Sequence, residues 1–401
     1  MVAFVLVRDV GHEVAPPESV EGLVERPRAS PAGAAAALAA FVDGVEQRDV
    51  AALTRLAPPG APAAEALMSA VAINARSLDL TAVTARYVDQ RGPVAADGSW
   101  TGVAELTWRL RGYDEAPARS DVVVRFVPDG DRLAIAGFGG ETAAGGRLPL
   151  WLRAELSVAR APGMLVMSEG SRGGAEVVRE RAERGIEVVR RVLPGWTAPV
   201  VVEVPASGAA LEAALGVESG TYAGIAAVTA AAGDGADERG PVHVFVNPDV
   251  TEGLRPAGAQ VVMSHELVHV ATQAVRRPVE PWLLEGFADY VALRDTQLPD
   301  RTLLSSAIEA ARRDGVPSSL PTAADFDTRG SDLQARYEEA WLACRIVAER
   351  LGEQGLVDLY DAAAGGRPPA TALRRAGLTA GGLAAGWRHR LQALVDAARK
   401  H

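Results

Sequence analysis

Cysteine, lysine, histidine and long apolar runs are all in short supply in this chain. Its 401 residues include one cysteine, Cys344, so no disulfide can form within the chain. That excludes a disulfide scaffold, while compartment stays open, because secreted proteins without disulfides are common. Lysine occurs once, at Lys400, and every other cationic residue is an arginine. Asp+Glu number 51 against 41 Lys+Arg, giving a formal net charge of -10. An acidic balance without a concentrated basic stripe argues against nucleic acid as the partner, since phosphates are held by Lys and Arg. No apolar run reaches the roughly 20 residues that a spanning helix needs. No internal repeat recurs at a fixed period.

The rest is an ordinary globular mixture, 48% hydrophobic and 23% charged, with length enough for two or three domains. Residues Met1 to Val7 (MVAFVLV) form a short apolar start followed by Arg8 and Asp9. They lack a basic leader and a small-residue cleavage site. A frayed or first-strand terminus and the tail of a signal or anchor segment are both open. Four prolines between residues 8 and 32 read as a linker, so residues 1–30 are expected to be a leader or membrane tether.

Ser30 then offers an N-cap with Pro31 in the first turn. Leu38, Phe41, Val42 and Val45 recur at helical spacing, and two more helical stretches cover Val50 to Leu56 and Ala63 to Ser77. From Leu80 the period becomes two, with strands predicted over 104–110, 121–127 and 132–138 and turns at Asp97-Gly98 and Asp129-Gly130. Residues 31–142 are thus expected to be an α+β domain of helices followed by a curved antiparallel sheet. Glycines at 139, 140, 145 and 146 mark its end. Beyond them come strands near 155–160, 164–168, 199–204, 225–231 and 242–246, with helices at 175–192 and 207–215. From Ala257 the pattern is helical almost to the C-terminus. Strands followed by a helical lobe imply two subdomains with a cleft between them.

The segment Ser264 to Val270 (SHELVHV) contains His265, Glu266 and His269 as H-E-x-x-H. On a helix, positions four apart lie about 40° from each other, so both imidazoles leave one face. Two nitrogens so placed suit a single Zn²⁺, and Glu266 falls beside the metal, where a general base for a metal-activated water belongs. With 6 histidines in the chain, such a pattern arises by chance about one time in a hundred. Met263, Leu267, Val270 and Ala274 fall on the opposite side as an anchoring stripe. Fifteen residues separate His269 from Glu285 in PWLLEGFADYVA, with Asp289 four positions on. An acid among Trp282, Leu283, Leu284, Phe287 and Tyr290 is costly to bury unless it is paired or binds a metal. As a third ligand it would leave the fourth position open, as catalytic zinc requires. The competing reading is a buried helix with two satisfied histidines.

HELVH followed by an apolar-flanked EGFADY resembles the gluzincin clan of zinc metallopeptidases, in particular the peptidase MA-like families, over roughly residues 220–390. The resemblance implies one Zn²⁺ held by His265, His269 and Glu285. It implies Glu266 as general base in peptide-bond hydrolysis and Asp289 orienting a ligand histidine, His265. The spacing from His269 to Glu285 is shorter than in thermolysin-type members. The N-terminal layout resembles the cone-shaped SnoaL-like, nuclear-transport-factor-like domains that often precede bacterial extracytoplasmic enzymes, which implies a binding or spacer role for residues 31–142. Residues 146–401 would then form one zinc metallopeptidase-like unit acting on peptide or protein substrates. The family is often exported, so an extracytoplasmic or membrane-tethered location is expected, with a cytoplasmic one as the alternative.

Three further positions follow from the same resemblance. Tyr337 lies in a helix expected over Ser331 to Leu351, with Ser331 and Gln334 fitting a capping box. It is similar to the tyrosine by which gluzincins donate to the tetrahedral oxyanion, and a core aromatic one turn from Trp341 is the other reading. His243 and Phe245 share one face of the strand PVHVFVN, which is expected as an edge strand that could pair with extended peptide; an ordinary strand is the alternative. Two other functions stay open. One is a binding or scaffold protein with a vestigial or structural metal, although a closed structural site usually needs a fourth ligand such as Cys, and Cys344 lies in an apolar helix face. The other is a zinc amidase acting on cell-wall peptides.

Overall fold

Two sheets and their covering helices make up the computed structural model, an α+β structure that describes residues 28–140, 146–234 and 240–399. The leader or tether expected over residues 1–30 lies outside the described residues up to residue 27.

Helix α1 (Pro31–Gln47) begins as its sequence predicts. The Gly33 amide donates to the Ser30 hydroxyl at 3.1 Å, which satisfies one of the free amides of the first turn. Leu38, Phe41 and Val45 are buried along one face. Helices α2 (Val50–Thr54) and α3 (Pro62–Leu78) follow. Strands β1 (Leu80–Arg91), β2 (Trp100–Leu110), β3 (Ala118–Asp129) and β4 (Arg132–Phe138) then pair in chain order as an antiparallel meander. Register shifts fall between Thr81 and Thr84, Tyr87 and Asp89, and Arg125 and Phe126. Bulges of this kind bend a strand and raise its twist.

The second sheet contains β5 (Ser157–Ala161), β6 (Met164–Ser168), β7 (Val200–Val204), β8 (Ala227–Ala231) and β9 (Val242–Val246), in the spatial order β5-β6-β7-β9-β8. β6, β7 and β9 run parallel, and β5 and β8 are antiparallel edges. Helix α4 (Arg172–Val192) connects β6 to β7, and α5 (Gly208–Leu215) follows β7. The strands within the sheet are apolar apart from Ser168, Glu203 and His243, because both faces are covered. Val166, Val202 and Val244 pack toward α4 and the helical lobe. Leu165, Met167, Val201 and Phe245 enter the core of the N-terminal unit beside Trp108 and Trp151. The apolar core of the N-terminal unit therefore continues onto that face of the second sheet.

The helical lobe comprises α6 (Pro248–Thr251), α7 (Pro256–Thr272), α8 (Pro281–Ala292), α9 (Asp300–Leu303), α10 (Ser305–Asp314), α11 (Leu333–Ala364), α12 (Pro369–Arg375) and α13 (Ala380–Ala398). Every residue of α7 from Met263 to His269 is buried. Gln273, left-handed at φ 56, ends that helix, so Ala274 falls in a separate short turn rather than on the anchoring stripe. The Ser331–Gln334 capping box does not form. Asp332 holds the N-cap position without a side-chain bond, and Gln334 reaches Glu338 instead. Gly352, at φ 78 and ψ 165, breaks α11 one residue after the expected end at Leu351. Among the described residues no helix is long and apolar enough to cross a membrane.

Candidate metal centre

Helices α7 and α8 bring the motif residues together. His265, Glu266 and His269 project from α7, and Glu285 and Asp289 from α8. Close approach of α8 to α11 fixes the second set: a Cβ at Gly286 would lie 2.3 Å from the Ala340 carbonyl oxygen and 2.8 Å from Cys344 Sγ. Cys344 is itself a buried core thiol outside the cluster, with its pKa pushed well up by burial.

His265 Nε2 lies 3.0 Å from His269 Nε2 and 3.1 Å from Glu285 Oε2, and His269 Nε2 lies 3.3 Å from the same oxygen. These three atoms can hold a metal ion. Ligands about 2.0–2.1 Å from a tetrahedral zinc stand about 3.3 Å apart, close to the three separations observed. Asp289 Oδ1 lies 2.7 Å from His265 Nδ1 and accepts a hydrogen bond from its N–H, so that the Nε2 lone pair faces the cluster. His269 Nδ1 is buried with no hydrogen-bond partner among the described residues. Lone pairs aimed at one another around a carboxylate are unfavourable unless a cation or proton sits between them.

The titration behaviour has the same sense. Burial disfavours charge on His265, but Asp289 and Glu285 outweigh it and hold the imidazole well above its ordinary pKa. Burial likewise raises Glu285, and His269 and His265 reverse that, keeping the carboxylate far below its usual range. The pocket therefore stabilises positive charge at the point where the three atoms meet.

A cleft of about 410 Å³ reaches the cluster at His265, with Asp289 also in its lining. Ile225 and Ala227 of the sheet side form one wall, Leu333 and Tyr337 of α11 another, and His265 and Glu266 line the same space. The Tyr337 ring stands edge-on to His265 with centroids 5.9 Å apart, and it also packs against Phe326 at 5.5 Å. Burial, reinforced by the charges of Glu285, Glu266 and Asp289, raises the Tyr337 phenol so far that it stays protonated.

His243 and Phe245 do not serve as an edge strand. β9 lies between β7 and β8, and the edge on this side of the sheet is β8. The two residues do share a face, but it is the one turned into the N-terminal unit, away from the cluster. His243 Nδ1 lies 2.6 Å from Glu203 Oε1, and its Nε2 lies 3.0 Å from Asp114 Oδ1 in the N-terminal unit. Sequence reading also missed Thr229 of β8, whose Oγ1 lies 2.7 Å from Glu266 Oε2. The signal for it is faint: one hydroxyl in the otherwise apolar strand AVTAA.

No family model, curated protein or solved structure matches this chain.

Proposed function

We propose that the protein is a zinc-dependent peptide hydrolase of the gluzincin kind, with one Zn²⁺ on His265, His269 and Glu285 and Glu266 as general base. The observation that carries this reading is the convergence of two imidazole nitrogens and one carboxylate oxygen, 3.0–3.3 Å apart, beside an open cleft lined by His265, Glu266 and Asp289. Two nitrogens and one oxygen with a position left free suit catalytic zinc. When bound there, the ion supplies Lewis-acid polarisation and makes water nucleophilic near neutral pH.

The chain's own groups do the rest. Asp289 fixes the His265 tautomer that presents Nε2. Glu266, buried beside His265, takes the proton from the attacking water and returns it to the leaving amine. Tyr337 keeps its proton and is available to donate to a developing oxyanion. In this reading an extended substrate pairs with β8, the strand at the sheet edge that touches α7 through Thr229. The N-terminal unit, SnoaL-like in layout, backs the opposite face of that sheet as a spacer or binding module.

Incubating zinc-loaded protein with a peptide library tests the reading. Wild type is expected to cleave, and Glu266→Gln to lose about 10²–10⁴-fold in rate with its zinc retained. Equal cleavage by the two proteins would remove Glu266 from the chemistry and the reading with it.

A further inference from the structure

We infer that Thr229 is a positioning residue for Glu266, an inference that rests on the hydrolase reading above. Thr229 sits in edge strand β8 opposite Val244 of β9. Its neighbours Val228 and Ala230 pack toward the N-terminal unit, so by strand alternation its side chain takes the face covered by α7. Its hydroxyl lies 2.7 Å from Glu266 Oε2 and 3.1 Å from the Glu266 carbonyl oxygen. A hydroxyl has one proton to give. The shorter contact has the length of a charge-assisted O–H···O⁻ bond, which is roughly twice as strong as a neutral one, so the proton goes to the carboxylate.

That bond has two consequences. Glu266 Oε2 is tied to β8, while Oε1 accepts no hydrogen bond among the described residues and is left to act as base. The same bond holds the carboxylate to the sheet edge, and it is not one of the three ligand atoms. A glutamate next in sequence to a ligand histidine could otherwise turn and occupy the fourth position as a ligand. Thr229 keeps that position for water and substrate, and it does so from the strand on which an extended substrate would lie. A displacement of about 1 Å in a catalytic group costs on the order of 10²-fold in rate, which sets the scale of the effect.

The experiment compares full-length wild type, Thr229→Val and Thr229→Ser for bound zinc, for kcat and KM on a peptide the wild type cleaves, and for the Glu266 side chain in crystal structures. Valine keeps the branched shape that suits a strand; if it does not fold, Thr229→Ala gives the same comparison. Thr229→Val is expected to keep about one zinc and a KM within about threefold, and to lose about 10–100-fold in kcat. Its Glu266 carboxylate is expected to be displaced or spread over several positions. Thr229→Ser, which retains the donor, is expected to restore both kcat and the single position. Wild-type kcat in Thr229→Val with Glu266 unmoved would overturn the inference, as would a loss explained wholly by missing zinc. If wild type cleaves no peptide, the proposed function fails, and the position of Glu266 in the crystals still decides the role of Thr229.

Discussion

At the residue scale the cluster depends on which nitrogen of His265 carries its proton. Asp289 accepts from Nδ1 at 2.7 Å, so Nε2 is left as a lone-pair donor beside His269 and Glu285. Removing the charge at Asp289 loosens that choice. Asp289→Asn is expected to weaken zinc binding about 10–100-fold in competition with a chelator; unchanged affinity would show that His265 is held by its packing alone. Tyr337 poses a different question, because Phe326 and His265 both contact its ring. Tyr337→Phe keeps the packing and deletes the donor, so kcat is expected to fall about 10²–10³-fold with KM and zinc little changed. A kcat within twofold of wild type would make Tyr337 a core aromatic. His265, Glu266, His269, Glu285 and Asp289 were all legible in the sequence because each relation is local, one helical turn or a neighbouring helix away. The hydroxyl of Thr229 was not, since its contact with Glu266 spans 37 positions of chain and one threonine in a strand has no periodicity to announce it.

At the scale of elements, the packing of α8 on α11 places Glu285. Alanine is favoured over glycine inside a helix by about 1 kcal/mol, yet a Cβ at Gly286 would sit 2.3 Å from a backbone oxygen of α11. No side chain can swing aside to relieve that contact, and overpacking costs about 1–3 kcal/mol or more. Packing therefore wins. Gly286→Ala is expected to lower the melting temperature by several degrees and to weaken metal binding, because α8 must shift with Glu285 on it. An unchanged melting curve would show that the helices separate freely. Helix and strand positions were largely readable from period alone, and the N-cap at Ser30 formed as its chemistry requires. The order of strands was not readable. β9 and β8 are both short apolar runs, and nothing in VHVFV says that it pairs on both sides. In hindsight composition carried a hint: the buried β7 and β9 each hold three or more valines, while the edge strand β8 has one among alanines and a threonine. The capping box at Ser331 failed for a comparable reason, since Gln334 found a partner in Glu338 one turn along.

For the whole molecule, the second sheet is the middle layer, with the N-terminal unit on one face and helices α4, α7 and α8 on the other. His243 joins the first two. Both ring nitrogens face carboxylates, Glu203 at 2.6 Å and Asp114 at 3.0 Å, and ionised carboxylates only accept hydrogen bonds. Both nitrogens therefore donate and the ring is an imidazolium, with Arg147 near enough to Glu203 and Asp234 to feel both charges. Burial alone would lower the His243 pKa, but Asp114 and Glu203 raise it to about 9. A folded pKa above the unfolded value of about 6.5 stabilises the fold fully below that value and is lost as pH rises through about 9. The melting-temperature gap between wild type and His243→Gln is thus expected to be widest near pH 6 and to narrow by pH 10. A gap independent of pH would contradict the imidazolium. The sequence offered no sign of this contact, because Asp114 lies 129 positions before His243 and only the folded chain brings them together. The break near residues 140–146 was visible as a run of glycines, but the continuity of the core across it was not, since strand faces do not name the unit they bury against.

The proposed binding of one zinc by His265, His269 and Glu285 is tested most directly by elemental analysis of purified wild type, His269→Ala and Glu266→Gln. About one zinc per chain is expected in wild type and in Glu266→Gln, and a strong loss in His269→Ala. Zinc retained by His269→Ala, or absent from wild type prepared with zinc, would mean that these side chains are buried helix contacts and no metal centre.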